Sequence, residues 1–197
     1  GGKLMNATGW KVGWAIGPER IIRLAGIINN TVSYCTNTPA QVAFSRILGT
    51  VETSQKEGEP SFVDASVASF LAVRDLLFKE IKDMALPWEP LHCNSGYFMM
   101  VDVSKCRDLI PKKYFETHDY VEGLATNKIY LPGTKQIPLD LAFVRWMGQE
   151  NGVTMMPNCF FYNSKSPYLA ENYVRVAICK DIKSCEKVLE RLRNIKI

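Results

Sequence analysis

Gly1-Gly2-Lys3-Leu4-Met5-Asn6-Ala7-Thr8-Gly9-Trp10-Lys11-Val12-Gly13-Trp14-Ala15-Ile16-Gly17 carries two lysines, Lys3 and Lys11, on a background of glycines and apolar residues. A lysine that attacks an aldehyde must be presented as a neutral amine, and a second, fixed cation suits a phosphate. Together they make an aldehyde trap beside a phosphate clamp, although either lysine alone means little. Val12 to Ile16 reads as a buried strand, with glycines where backbone approaches closely and Pro18 stopping the ladder. Gly9, Gly13 and Gly17 stand four apart, but Lys11 and the two tryptophans argue against a membrane helix-packing motif.

Outward from this stretch the pattern becomes helical. Pro18-Glu19 opens a helix to about Ile28, with an apolar face of Ile21, Ile22, Leu24, Ile27 and Ile28. Thr31 to Thr38 is turn-prone, and Pro39 starts a second helix with Val42, Phe44 and Ile47 facing inward. Ser54-Gln55-Lys56-Glu57-Gly58-Glu59-Pro60 is hydrophilic and aperiodic, which places a domain boundary between residues 58 and 59. A long helix from Ser61, with apolar residues recurring at three and four, ends before Pro87.

Tyr97 to Val103 reads as a strand, Phe115 to Pro138 as a long loop, and Asp140 to Glu150 as a helix with Asp140 at its N-cap. Short strands over Val153–Met156 and Tyr173–Cys179 and a closing helix over Ile182–Ile195 complete an α/β or α+β arrangement. Arg175 stands inside Tyr173-Val174-Arg175-Val176-Ala177-Ile178, where a guanidinium is costly to desolvate unless an anion meets it. It is either a carboxylate receptor, binding through a planar two-bond fork, or an arginine pointing out of an edge strand.

These motifs together resemble one family. Gly2-Lys3, Ala7-Thr8-Gly9-Trp10-Lys11-Val12-Gly13-Trp14 and Gly17-Pro18 look like the lysine segment of the kynurenine aminotransferase and cysteine-S-conjugate β-lyase family, within the class I aminotransferases. The likeness continues, in order and spacing, through Arg74-Asp75-Leu76, Gly96-Tyr97-Phe98, Asp102-Val103-Ser104, Phe143-Val144-Arg145-Trp146-Met147, Phe160-Phe161-Tyr162 and Tyr173-Val174-Arg175. It covers only the second half of such an enzyme.

The resemblance implies the C-terminal part of a fold-type-I transferase. Residues 1–58 would close the large domain, and residues 59–197 would form the small one. It implies pyridoxal 5'-phosphate as cofactor, Lys3 as the Schiff-base lysine, Lys11 as the phosphate-binding cation and Arg175 as the receptor for the substrate α-carboxylate. Tyr34 and Asn37 lie on a loop that in the family approaches the neighbouring subunit's site. They are either substrate contacts or parts of a surface turn, and Tyr162 is either a pocket-lining or a core aromatic.

Groups that stack on the pyridine ring belong to the family's first half. An N-terminal half or companion chain, in a homo- or heterodimer, would supply them, with small amino acids and oxo acids as substrates. Leu4-Met5-Asn6 departs from the family, which has a Thr-Phe-Ser-like run there. That departure keeps a second reading open: a non-catalytic structural subunit derived from an aminotransferase.

Composition sets wider limits. Of 197 residues 47% are hydrophobic and 22% charged, which is ordinary for a chain that buries a core, and a scattered net charge of +4 leaves no nucleic-acid footprint. Six cysteines form no C-x-x-C pair and no histidine stands at zinc spacing, so no metal site is expected. Their apolar settings suit reduced thiols, hence a reducing compartment, mitochondrial matrix or cytoplasm. No window is apolar enough for a membrane helix.

Overall fold

Residues 1–3, 5–51, 57–116, 137–162, 168 and 171–195 are described by the structure, a computed structural model. The chain divides into two compact units, Gly1–Ser69 and Phe70–Ile197, the division falling within one long helix. The predicted loop over 115–138 lies mostly outside the described residues.

In the first unit a 3-10 turn, Thr8–Trp10, is followed by helices α1, Glu19–Val32, and α2, Thr38–Thr50. Proline at position 18 precedes α1 and its carbonyl accepts from Ile21 N at 2.9 Å. The helix runs past the expected Ile28 to Val32, and the Thr31 hydroxyl in its last turn finds a partner in the Ile27 carbonyl at 3.0 Å. The turn-prone segment is correspondingly shorter than the Thr31–Thr38 predicted. Asn37 caps α2, its side chain accepting from Ala40 N at 2.9 Å.

The predicted buried strand over Val12–Ile16 is corrected: these residues have no regular structure, and Ile16 is 92% exposed. A strand is held by the N–H and C=O groups of a neighbour, and no described segment stands beside this one to pair with it. Burial in this unit centres on Phe44 of α2 and Ala7. Trp10 and Trp14 meet the Phe44 ring edge-on at 5.5 and 6.4 Å.

Helix α3, Phe62–Asp83, leads into the second unit, and its last three turns bury Val73, Leu77 and Ile81. Strands β1 (Glu89–Pro90), β2 (Phe98–Asp102), β3 (Met156–Pro157) and β4 (Tyr173–Ala177) make an antiparallel sheet in the order β1-β2-β4-β3. Alternation sorts their side chains. Met99, Val101 and Val174 are completely buried, while Phe98, Met100 and Arg175 on the opposite face are half-buried.

The buried face joins residues of α3, of α4 (Leu139–Glu150) and of α5 (Ile182–Arg193) in one core, including Phe143, Trp146, Met147, Leu189 and Leu192. Asp181 caps α5 by accepting from Ser184 N at 2.9 Å. Glu150, at the end of α4, gathers the Tyr114 hydroxyl at 3.0 Å, the Trp146 indole N–H at 3.1 Å and the Lys113 ammonium at 2.7 Å.

Asp140 is not the N-cap that its position predicts. Pro138 precedes the helix, and Asp140 lies in the first turn, fully buried. Its Oδ2 accepts from the backbone N–H of Cys159 at 2.6 Å, across nineteen residues of sequence.

Candidate cofactor and substrate site

The Lys3 loop closes on itself. Met5 N donates to Gly1 O at 3.0 Å and Ala7 N to Gly2 O at 2.8 Å, leaving Lys3 half-buried on a tight bend. Two glycines make the bend achievable: a Cβ on Gly1 would stand 2.6 Å from the Phe44 ring, and one on Gly2 would stand 3.0 Å from the Thr8 backbone. Lys11 follows the Thr8–Trp10 turn as its C-cap with φ of 56°, a left-handed conformation that ends the turn at this cation.

Lys11 and Asn37 come together on one open groove of about 760 Å³, with Trp10, Trp14, Ser33 and Thr36 among its walls. Lys3 and Tyr34 do not line it. Tyr34 is 82% exposed and also left-handed, with φ of 58°, an uncommon state for a bulky residue. The side-chain oxygen of Asn37 is committed to capping α2.

Arg175 occupies an interior strand, since β4 lies between β2 and β3, which removes the edge-strand reading. Its guanidinium carbon lies 4.0 Å from the Phe98 ring centroid and 4.2 Å from that of Phe161. The register explains the first contact. Arg175 pairs with Met100, so Phe98, two residues along β2, is its diagonal neighbour on the same face. Phe161 comes instead from the 3-10 turn Asn158–Phe161 that follows β3.

Both rings lie within cation–π distance of the guanidinium carbon, a contact that uses the flat face of a guanidinium and not its N–H edges. The Arg175 Nε is buried without a hydrogen-bond partner among the described residues. A buried donor left unpaired is costly, and a planar two-oxygen anion meeting the guanidinium edge would satisfy it. Tyr162, beside Phe161, is exposed, so the core reading fails for it.

Sequence reasoning missed the two rings and Asp140. Phe98 lay in the strand expected over Tyr97–Val103, but nothing there set it beside Arg175, and no local signal joined Asp140 to Cys159. Burial pushes the Asp140 carboxyl up to about 6, opposed by hydrogen bonds from Cys159. Burial raises the Cys159 thiol well above its ordinary range, with the Asp140 carboxylate adding to the shift, and raises Cys106 to about 12. These thiols are therefore not nucleophiles. Among the described residues no group of three or more ligand-type side chains is placed to hold a metal ion, and no helix is long and apolar enough to cross a membrane.

Each unit contributes donors that suit pyridoxal phosphate and its substrate: in the first an amine on a tight loop and an ammonium at a groove, and in the second a guanidinium whose buried Nε has no hydrogen-bond partner among the described residues. The architecture is that of the C-terminal part of a fold-type-I transferase. The chain belongs to the family described as aminotransferase class I and II, whose family model matches residues 1–192. Enzymes of this family depend on pyridoxal phosphate.

Human kynurenine–oxoglutarate transaminase 1 is 27% identical over 197 residues, covering 100% of this chain and 42% of that protein. Kynurenine–oxoglutarate transaminase of Dictyostelium discoideum is 26% identical, covering 99% of this chain and 40% of its own length. The chain thus spans about two-fifths of the curated relatives it matches. Among solved structures, Bna3p from Saccharomyces cerevisiae shares the fold with a TM-score of 0.67 at 23% identity, over 98% of this chain and 40% of that one. YbdL from Escherichia coli gives 0.59 at 24% identity, with the same coverage of both chains.

Proposed function

We propose that this chain forms the C-terminal part of a pyridoxal-phosphate-dependent aminotransferase of the kynurenine–oxoglutarate transaminase kind, moving an amino group from an amino acid to an oxo acid. The observation that carries the reading is Arg175, a guanidinium in contact with two rings whose buried Nε has no hydrogen-bond partner among the described residues. Family membership and the resemblance of the lysine segment support it. An N-terminal half or companion chain completes the site, in a homo- or heterodimer. Residues 1–58 belong in this reading to the large domain and 59–197 to the small one.

When bound, pyridoxal phosphate supplies the electron sink for the bond broken at the substrate Cα. Lys3 would hold the cofactor through its Nζ and, as a free amine once substrate is bound, would take the proton from the substrate Cα. Lys11 would neutralise phosphate charge. Arg175 grips the α-carboxylate in two parallel N–H···O bonds and so fixes which bond at Cα is aligned for cleavage. Tyr34 and Asn37 are assigned to the substrate side, Tyr34 as an exposed ring and Asn37 through its position on the Lys11 groove. A good leaving group on Cβ turns the same proton removal into β-elimination. A reducing compartment, mitochondrial matrix or cytoplasm, suits the cysteines, none of which is in a disulfide among the described residues.

In the complete protein, Lys3→Ala should abolish the visible absorbance gained on adding pyridoxal phosphate. Arg175→Ala should keep that absorbance and raise KM for the amino acid on the order of tenfold to a hundredfold. Loss of absorbance in the arginine variant would reverse the two roles. Leu4-Met5-Asn6, in place of the family's hydroxyl-bearing run, favours the second reading, a non-catalytic structural subunit. A complete wild-type protein that gains no absorbance with the cofactor would establish that reading instead.

A further inference from the structure

Phe161 is 55% exposed, so its ring is not held by burial. What fixes it against Arg175 is the turn that carries it, Asn158–Phe161, and that turn is tied at two points. Pro157, just before it, pairs with Val174 of β4. Within it, the buried Cys159 donates its backbone N–H to Asp140 Oδ2 at 2.6 Å. Asp140 is fully buried in the first turn of α4, a helix that also fills the core through Phe143 and Trp146. A buried carboxylate is expensive to desolvate, and an apolar side chain at this position would satisfy the core without that cost.

We infer that Asp140 is a positioning residue for substrate: its carboxylate tethers the Asn158–Phe161 turn so that Phe161 forms the second wall of the Arg175 carboxylate site. The inference rests on the reading of Arg175 as the carboxylate receptor. With the tether cut, Phe161 leaves the guanidinium, and Arg175 loses the ring that keeps its edge turned toward the incoming carboxylate. A cation–ring contact of this kind is worth a factor of about threefold to thirtyfold in affinity. The amine and ammonium of Lys3 and Lys11 are untouched, so cofactor loading is unchanged.

The experiment uses the complete, cofactor-loaded protein and titrates 3-phenylpropionate, a carboxylate without an amine, by calorimetry. Asp140→Leu removes the acceptor and the buried charge together. It is expected to remain folded at pH 7, the lost buried charge offsetting the lost acceptor, and to bind the carboxylate about threefold to thirtyfold more weakly. Asp140→Asn keeps an oxygen acceptor and should bind within about twofold of wild type, because a neutral amide oxygen still takes the Cys159 N–H.

Phe161→Leu should reproduce the loss seen in Asp140→Leu, and the double variant Asp140→Leu/Phe161→Leu should lose no more than either single one. Unchanged affinity in Asp140→Leu or Phe161→Leu, equal losses in Asp140→Asn and Asp140→Leu, or additive losses in the double variant each overturn the inference. Should Asp140→Leu fail to fold, Phe161→Leu must show the loss alone and Asp140→Asn must not. Arg175→Ala separates the two levels. If it binds 3-phenylpropionate as wild type does, the receptor reading itself falls; if it loses binding while Phe161→Leu does not, only the tether is wrong.

Discussion

At Asp140 one carboxylate is tuned by its surroundings against its own charge. Burial raises its pKa from 3.8 to about 6, so the folded protein holds this proton more tightly than the unfolded chain does. Its contribution to stability is therefore complete below pH 3.8 and declines as pH rises to about 6, by at most about 3 kcal/mol. Melting the complete protein from pH 4 to 7 should show the Asp140→Asn variant gaining on wild type as pH rises, with the gain levelling off above about pH 6. A constant difference across that range would mean that Asp140 does not titrate there. The sequence marked Asp140 as a helix-start acid, which is where it stands, but not as a buried one. Its partner, Cys159, is set by tertiary packing, and helix-start statistics contain no trace of such a partner. Arg175 was different. A cation inside a run of branched residues advertises its own cost, whereas the rings that flank it follow only from strand register and a distant turn.

Among the elements, α2 shows how little holds the first unit. Phe44 is its one buried residue, and Trp10, Trp14 and Gly1 all converge on that ring. Phe44→Ala should cost about 3 kcal/mol or more and release both indoles, seen as a red shift of tryptophan emission in the complete protein. An unshifted spectrum would show that the indoles are held from elsewhere. The helices were legible because three-and-four spacing is local: α3 and α5 lie within a few residues of where their apolar patterns put them, and β2 and β4 fall inside the apolar, aromatic and branched runs read as strands. Val12–Ile16 was not. Its apolar run is that of a buried strand, but an apolar run records only which side chains avoid water and says nothing of where a pairing strand is found. The short strand expected over Val153–Met156 falls instead on Met156–Pro157, two residues too few to carry a period.

For the molecule as a whole, α1 is the feature that governs behaviour in solution. None of its residues is buried, and Ile21, Leu24, Ile27, Ile28 and Val32 are all exposed, continuing the bare Ile16 before it. An apolar surface of that kind draws partners or aggregates. The 197-residue chain on its own should therefore bind the dye ANS strongly and elute from a sizing column as an associated species, not as a monomer. A sharp monomer peak without dye fluorescence would count against this. The sheet in the second unit behaves otherwise. Its outer strands, β1 and β3, are two residues long, and each includes a proline, Pro90 or Pro157, that has no N–H to offer a newcomer. Among the described residues the sheet is thus closed to further strands, a safeguard against fibril growth. Aggregates of the isolated chain should accordingly be amorphous and leave thioflavin T dark, because what recruits in this molecule is a helix face and not a β-edge.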